Sequence, residues 1–343
     1  MARRQPSSVN FRSLLALIAL VSGLSATGLV AGSPATAATR SGPAPAGAPT
    51  HGAAVHAVGT AAQSATGTYW TPARMASATP VTAPRAPSSA RATGSGQAPA
   101  SALAPGSGQE HAATSTPQPP PGTPDPTYFN GVPTVGALFF TTGSKAHFCT
   151  ASVVDSPTLN LVLTAAHCVY GSGYATNIAY VPEWHSGISP YGVWPVQSIT
   201  VASGWQQSQD PDLDFAFLKV APPSGESRPV QLVTGGLLLG INAGYAHPVY
   251  VIGYNNTDSQ PIGCVTKSFE FEPTQIEFYC NSFWDGTSGG PWITHFNSAT
   301  GTGVVIGDIG GYEQGGDYPW ASYSDYYTWP TLHLYLQAEA SQA

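Results

Sequence analysis

Charge is scarce in this sequence of 343 residues: Asp, Glu, Lys and Arg together make up 8% of it. The little there is divides unevenly. Residues 1–127 hold seven of the eleven basic residues against two acids, Glu110 and Asp125, a balance of +5. Residues 128–343 hold four against sixteen, a balance of −12. So acidic a region argues against nucleic acid as a partner, because affinity for it rests on Lys and Arg neutralising phosphates. It argues equally against docking on anionic lipid. A negative surface of this kind keeps an exported protein in solution. Cysteine is scarce too: Cys149, Cys168, Cys264 and Cys280 all lie in the acidic region. There is no C-x-x-C pair and no Cys/His cluster of metal-ligand spacing, so two disulfides in an oxidising compartment are expected rather than a metal site. Of three possible connectivities the local one, Cys149–Cys168 with Cys264–Cys280, is the expected pairing.

Long apolar runs are also missing. The run Leu14–Val21 is interrupted early by Ser22, Gly23 and Ser25, short of the ~20 apolar residues that span a bilayer. Arg3, Arg4 and Arg12 precede it, and Ala35-Thr36-Ala37 offers a small-residue cleavage site, so residues 1–37 read as an export signal and not as a stable membrane anchor. No hydrophobic pair closely follows Arg3-Arg4, which favours the ordinary export route over the twin-arginine one. Residues 38–127 have few large apolar side chains. They are dominated by Ala, Pro, Gly, Ser and Thr, and such a tract cannot offset the entropy of ordering. A disordered spacer or pro-segment is expected there, extended by its prolines. One island stands apart, Tyr69-Trp70-Thr71-Pro72 through Met75 and Pro80. It is either a pro-segment contact docked on a folded domain or a chance aromatic patch, and composition leaves both open.

From Tyr128 the texture changes. Thr134–Phe140, Phe148–Val154, Leu161–Ala165, Ile178–Val181, Phe215–Val220, Val249–Gly253, Gln275–Tyr279 and Gly303–Ile309 are short apolar runs between turn residues. Such runs predict strands, and their recurrence with little helical periodicity predicts an all-β barrel or sandwich over 128–343. Trp329–Ala340 is the best helix candidate. The aromatics between Tyr312 and Trp329 are read as core and cleft wall in preference to a carbohydrate-contacting face. His147, His185, His247, His295 and His333 lack a motif and are read as packing or surface residues.

Three segments supply the parts of a hydrolytic site. Leu163-Thr164-Ala165-Ala166-His167-Cys168 sets a histidine just after a strand, beside a cysteine able to pin its loop. Asp212-Leu213-Asp214-Phe215 sets an acid directly before an apolar run. Asp285-Gly286-Thr287-Ser288-Gly289-Gly290-Pro291 surrounds a serine with glycines, which allow a tight turn and close approach of a substrate carbonyl to backbone N–H groups. A nucleophile, a base, a group that orients the base and donors for an oxyanion are what acyl transfer needs.

Together these segments resemble the trypsin/chymotrypsin-like serine peptidase family. TAAHC matches its histidine motif, DFAFLKV its aspartate-plus-strand segment and GTSGGP its serine motif, in the order His…Asp…Ser. The resemblance spans about residues 129–338. The short interval from Asp214 to Ser288 is similar to that of a secreted bacterial branch that includes glutamyl endopeptidases. It implies two six-stranded antiparallel Greek-key barrels with a C-terminal helix, preceded by the disordered N-terminal region. It further implies a triad of His167, Asp214 and Ser288, an oxyanion hole from the N–H groups of Gly286 and Ser288, no cofactor, and a secreted, extracellular monomer acting on proteins or peptides. Asp210 and Asp212 compete with Asp214 for the acid role, and the apolar run beginning after Asp214 favours the latter. By position, Ser282, Asp308 and Ile309 are the candidates for a substrate pocket. Two departures stand out. Thr287 occupies the place where trypsin-like members carry an Asp that pairs with a freed N-terminus, and no I-V-G-G start is present, Phe129-Asn130-Gly131-Val132 being nearest. An esterase elbow around Ser288 needs its acid and histidine downstream, where only 55 residues remain. A binding or adhesion protein on a degenerate protease scaffold is the alternative, opposed by the complete triad.

Overall fold

The β-branched and aromatic runs form strands wherever Gly, Pro, Asn or Asp ends them, and almost all of these strands pair with neighbours in an antiparallel sense. The computed structural model describes residues 52–81, 117–256 and 258–341, all within the unit Gly47–Ala343. The expected export signal at 1–37 lies outside the described residues, as does most of the tract 38–127. Four elements come first: β1 (Ala53–Ala57), α1 (Thr60–Tyr69), α2 (Pro72–Ala76) and β2 (Thr79–Pro80). The acidic region continues with β3 (Thr127–Tyr128), β4 (Val135–Thr142), β5 (Lys145–Val153), β6 (Leu161–Thr164) and the single turn α3 (Ala166–Val169). Next are β7 (Thr176–Pro182), β8 (Trp194–Ala202), α4 (Ser203–Ser208), β9 (Ala216–Val220) and α5 (Val230–Thr234). The second half holds β10 (Leu238–Leu239), β11 (Pro248–Tyr254), β12 (Pro261–Glu272) and β13 (Gln275–Tyr279). It ends with β14 (Pro291–Asn297), β15 (Thr302–Asp308), β16 (Ala321–Asp325) and α6 (Trp329–Ala340).

The strands β4-β5-β6-β9-β8-β7 close on themselves as an antiparallel six-stranded barrel. Strands β11 to β16 form the second sheet, in the order β15-β14-β11-β12-β13-β16. Its last seam, between β15 and β16, is bridged by the Asp308 N–H donating to Ser324 Oγ (2.9 Å) and, just beyond, the Gly310 N–H donating to Tyr323 O (3.1 Å). Leu163, Phe217, Ile252, Ile293, Tyr327 and Leu334 join the two halves to α6 in one buried cluster. The helix buries Thr331, Leu334 and Ala338, a three-then-four spacing that lines one face. At its C-terminal end Lys219 Nζ donates to the carbonyls of Glu339 and Ser341 (2.9 and 2.5 Å), placing a cation against otherwise unpaired carbonyls. The disulfides are Cys149–Cys168 and Cys264–Cys280.

Composition predicts no fixed structure for 38–127, and residues 52–81 depart from that. The reason lies in the barrel. Side chains alternate across a strand, so Leu138 and Phe140 of β4 and Tyr180 of β7 fill the barrel interior, while Ala137, Phe139, Ala179 and Val181 face outward. That outer face is apolar. Trp70, Met75 and Ala78 cover it, each only 3–4% exposed, together with Phe148, Trp184 and Tyr254. Trp70 Nε1–H donates to Asn177 O (2.6 Å), and β1 pairs with β8 over five residues, Ala53 opposite Ala202 through Ala57 opposite Ser198. The aromatic island thus lies packed against the outer face of the barrel.

Candidate active site

His167 sits in the α3 turn immediately after β6, and the disulfide from Cys168 to Cys149 ties that turn to β5. Asp214 lies between a 3-10 turn at Pro211–Leu213 and β9, fully buried. Its carboxylate grips the histidine twice: Oδ1 accepts the His167 backbone N–H and Oδ2 accepts Nδ1–H, both at 2.8 Å. Oδ2 also accepts the Gly311 N–H (3.0 Å). A proton on Nδ1 leaves Nε2 as the acceptor, and Nε2 is buried without a hydrogen-bond partner among the described residues. Asp212 is engaged elsewhere, its Oδ1 accepting from Gln275 Nε2 (2.8 Å). Asp210 caps the 3-10 turn by accepting the Asp212 N–H (3.1 Å).

Ser288 lies on the loop leading into β14. Gly286 and Gly289 have φ of +98° and +78°, and a Cβ would stand 2.5 Å from the Phe148 ring at Gly286 and 2.2 Å from Thr150 O at Gly289. Only glycine fits either place. The loop is tied to the first barrel by Thr150, whose N–H donates to Ser288 O (2.8 Å) and whose Oγ1 donates to Gly286 O (3.0 Å). The same Oγ1 accepts the Tyr254 N–H (2.8 Å). The backbone N–H groups of Gly286 and Ser288 donate to no group among the described residues. Thr150 is a site residue that motif reading misses, its one sequence signal being its place after Cys149. Thr287 is buried, its hydroxyl donating to Trp284 O (2.8 Å).

Of the three pocket candidates, only Ile309 lines the cavity beside Ser288, with Phe283, Thr287, Gly315 and Ser322. Ser282 is exposed on a left-handed turn. Asp308 faces the opposite way because Tyr327 OH donates to its Oδ1 in the core behind Asp214. Burial holds the Asp308 carboxyl well above the usual carboxylate range, with Tyr327 opposing and Asp214 adding to the shift. Asp325, which accepts the Asp214 N–H (3.2 Å), is also pushed well up, by burial first and then by Asp214 and Asp308.

A family model described as Trypsin matches residues 124–329. A protein of Bacillus subtilis (strain 168) named Extracellular metalloprotease is 30% identical over 86 residues, 24% of this chain and 26% of the relative. The chain thus matches about a quarter of that curated relative's length. The solved structure of protease Anisep from Arthrobacter nicotinovorans matches at 25% identity and a TM-score of 0.56, covering 62% of this chain and 99% of that one. A Glu endopeptidase structure matches at 15% identity and a TM-score of 0.51, covering 64% and 99%, a likeness of fold alone. The name metalloprotease raises the question of a metal. Among the described residues, the metal-ligand types that converge are Cys149, His167 and Cys168. The two sulfurs are bonded to each other, which leaves one imidazole, and that donor set does not fit a metal ion.

Proposed function

The chain belongs to the trypsin family, and from that premise we propose that it is a secreted serine endopeptidase using Ser288, His167 and Asp214. The observation that carries the reading is the double grip of Asp214 on His167, which fixes the tautomer and leaves Nε2 free to take a proton. Ser288 Oγ attacks the scissile carbonyl as Nε2 accepts its proton, and the C–O bond forms while the carbonyl becomes an oxyanion. The N–H groups of Gly286 and Ser288 receive that charge, an interaction worth about 10²–10³ in rate per donor. Collapse breaks the C–N bond, Nε2 returns the proton to the leaving amine, and an acyl-enzyme remains. Water then repeats the sequence and frees Ser288. The buried Asp214 stabilises the imidazolium formed on the way. Two disulfides accord with an oxidising, extracellular setting.

The test is peptidase activity and fluorophosphonate labelling of the exported chain. Ser288→Ala or His167→Ala should each lower kcat/KM by at least about 10³-fold, and Ser288→Ala should abolish the label. An unlabelled, inactive wild-type chain would instead favour the degenerate scaffold.

A further inference from the structure

We infer that residues 52–81 are an intramolecular inhibitor of this site, holding the peptidase latent by lodging Val81 in its cleft; the inference rests on the peptidase reading above. The docking surface is the outer face of β4, β5 and β7 described above. The segment contributes Trp70, Met75 and Ala78 to it and pairs β1 with Ser198–Ala202 of β8, beyond the stretch of β8 that pairs with β7. That packing fixes where the end of the segment goes. Strand β2 runs parallel to β5, with Thr79 opposite His147 and Pro80 opposite Phe148. The Val81 N–H then donates to Phe148 O (3.3 Å). Two residues farther along β5, Thr150 holds the nucleophile's loop.

Val81 is thereby a wall of two cavities at once, one beside Ser288 and the other beside His167. A substrate has to present its carbonyl to both residues, so it has to occupy the space Val81 adjoins. Gln314 lines the same two cavities. It and Glu313 have φ of 51° and 52°, consecutive left-handed residues of types that adopt this conformation only at a cost of ~1–3 kcal/mol each. Such a turn persists where its surroundings hold it, and the cavities it lines are the ones Val81 adjoins. Control from this segment also fits Thr287, which provides no carboxylate beside Ser288 for a freed N-terminus to pair with. The covalent link from Val81 to the barrels passes through residues 82–116. A single hydrolytic cut there, adding water across one peptide bond to give a carboxylate and an amine, leaves the segment held by the docking contacts alone.

The experiment uses the full chain with a foreign protease recognition sequence inserted within residues 90–110. Fluorophosphonate labelling and hydrolysis of a small chromogenic substrate are followed before the cut and after the cut and separation of the segment. The cut should raise both rates by at least about tenfold, and a synthetic peptide of residues 52–81 should lower them again. Val81→Ala should speed the intact chain and leave the cut and separated enzyme unchanged, an effect that simple stabilisation by the segment does not produce. Equal rates before and after the cut, both measurable, would overturn the latch and leave the peptidase reading intact. No reaction in either state would remove the peptidase reading and the latch with it.

Discussion

Three acids lie within five residues of one another at Asp210, Asp212 and Asp214, and the fold gives each a different task. Asp214 alone meets His167, because the 3-10 turn at Pro211–Leu213 directs Asp212 to Gln275 and uses Asp210 as a cap. Asp214→Asn should therefore cost about 10⁴ in kcat/KM, as expected for loss of the correct tautomer, whereas Asp212→Asn should cost less than about tenfold. A steady-state comparison that reversed this order would move the acid role to Asp212. Behind Asp214, the raised carboxyl of Asp308 has a consequence for stability. Below about pH 4 it is protonated in both folded and unfolded chains. Above that the folded state retains a proton that the unfolded chain has released, so stability falls as pH rises towards the elevated value. Asp308→Asn removes this dependence and should narrow the gap in Tm between pH 5 and pH 8; an unchanged gap would mean that Asp308 is ionised in the fold. The residues proposed as the triad were legible because each sits inside a short stretch with its own chemical signature. Thr150, Asp325 and the true place of Asp308 were not, because what they do is settled by partners on other strands.

Strands carry a second layer of information that alternation makes readable only in part. Ala137-Leu138-Phe139-Phe140 is apolar at every position, the pattern of a strand buried on both faces, and the second face needs a cover. The sequence displays both the wholly apolar run and the aromatic island, but nothing in either says that one covers the other, since a long low-complexity stretch separates them. An all-β barrel or sandwich and α6 were predictable from run length and turn residues, and the six strands of the barrel from the family resemblance, while the seam bridged by Ser324 was not. If docking is a local event, Trp70→Ala should weaken it by about 3–5 kcal/mol. Hydrogen exchange should then quicken for the β1 amides and the β8 edge they pair with, leaving β6 and β9 as protected as before. Equal loss of protection across the barrel would make the segment part of the global folding unit. Across the barrels, Thr150→Val removes the hydroxyl's bonds to Gly286 O and from the Tyr254 N–H, leaving two buried backbone groups unpaired. It should lower kcat by about tenfold or more with little change in KM.

At the scale of the molecule the site is assembled from two halves, and the two disulfides divide between them. The first barrel supplies His167 and Asp214, the second sheet supplies Gly286 and Ser288, and α6 packs against the core between them. Cys149–Cys168 closes a separation of 19 residues and fixes the α3 turn against β5, next to Thr150. Cys264–Cys280 closes one of 16 residues inside the core of the second half, with Phe278, Phe283 and Trp292. Loops of this length are worth about 3 kcal/mol each in the chain-entropy account, which for a domain of this size is a fall in Tm of about 6–12 °C on removal of either. Stability should therefore respond to both about equally. Activity should not. Replacing Cys264 and Cys280 by Ala should leave kcat/KM of the folded enzyme within a few-fold of wild type at a temperature well below the new Tm. Replacing Cys149 and Cys168 frees the turn that presents His167 to both Asp214 and Ser288, and misplacement by about 1 Å costs on the order of 10² in rate. Thermal melts and kinetics on the two double variants check this together. A comparable loss of kcat/KM in both, measured on enzyme shown to be folded, would mean that the first disulfide holds the barrel and not the histidine.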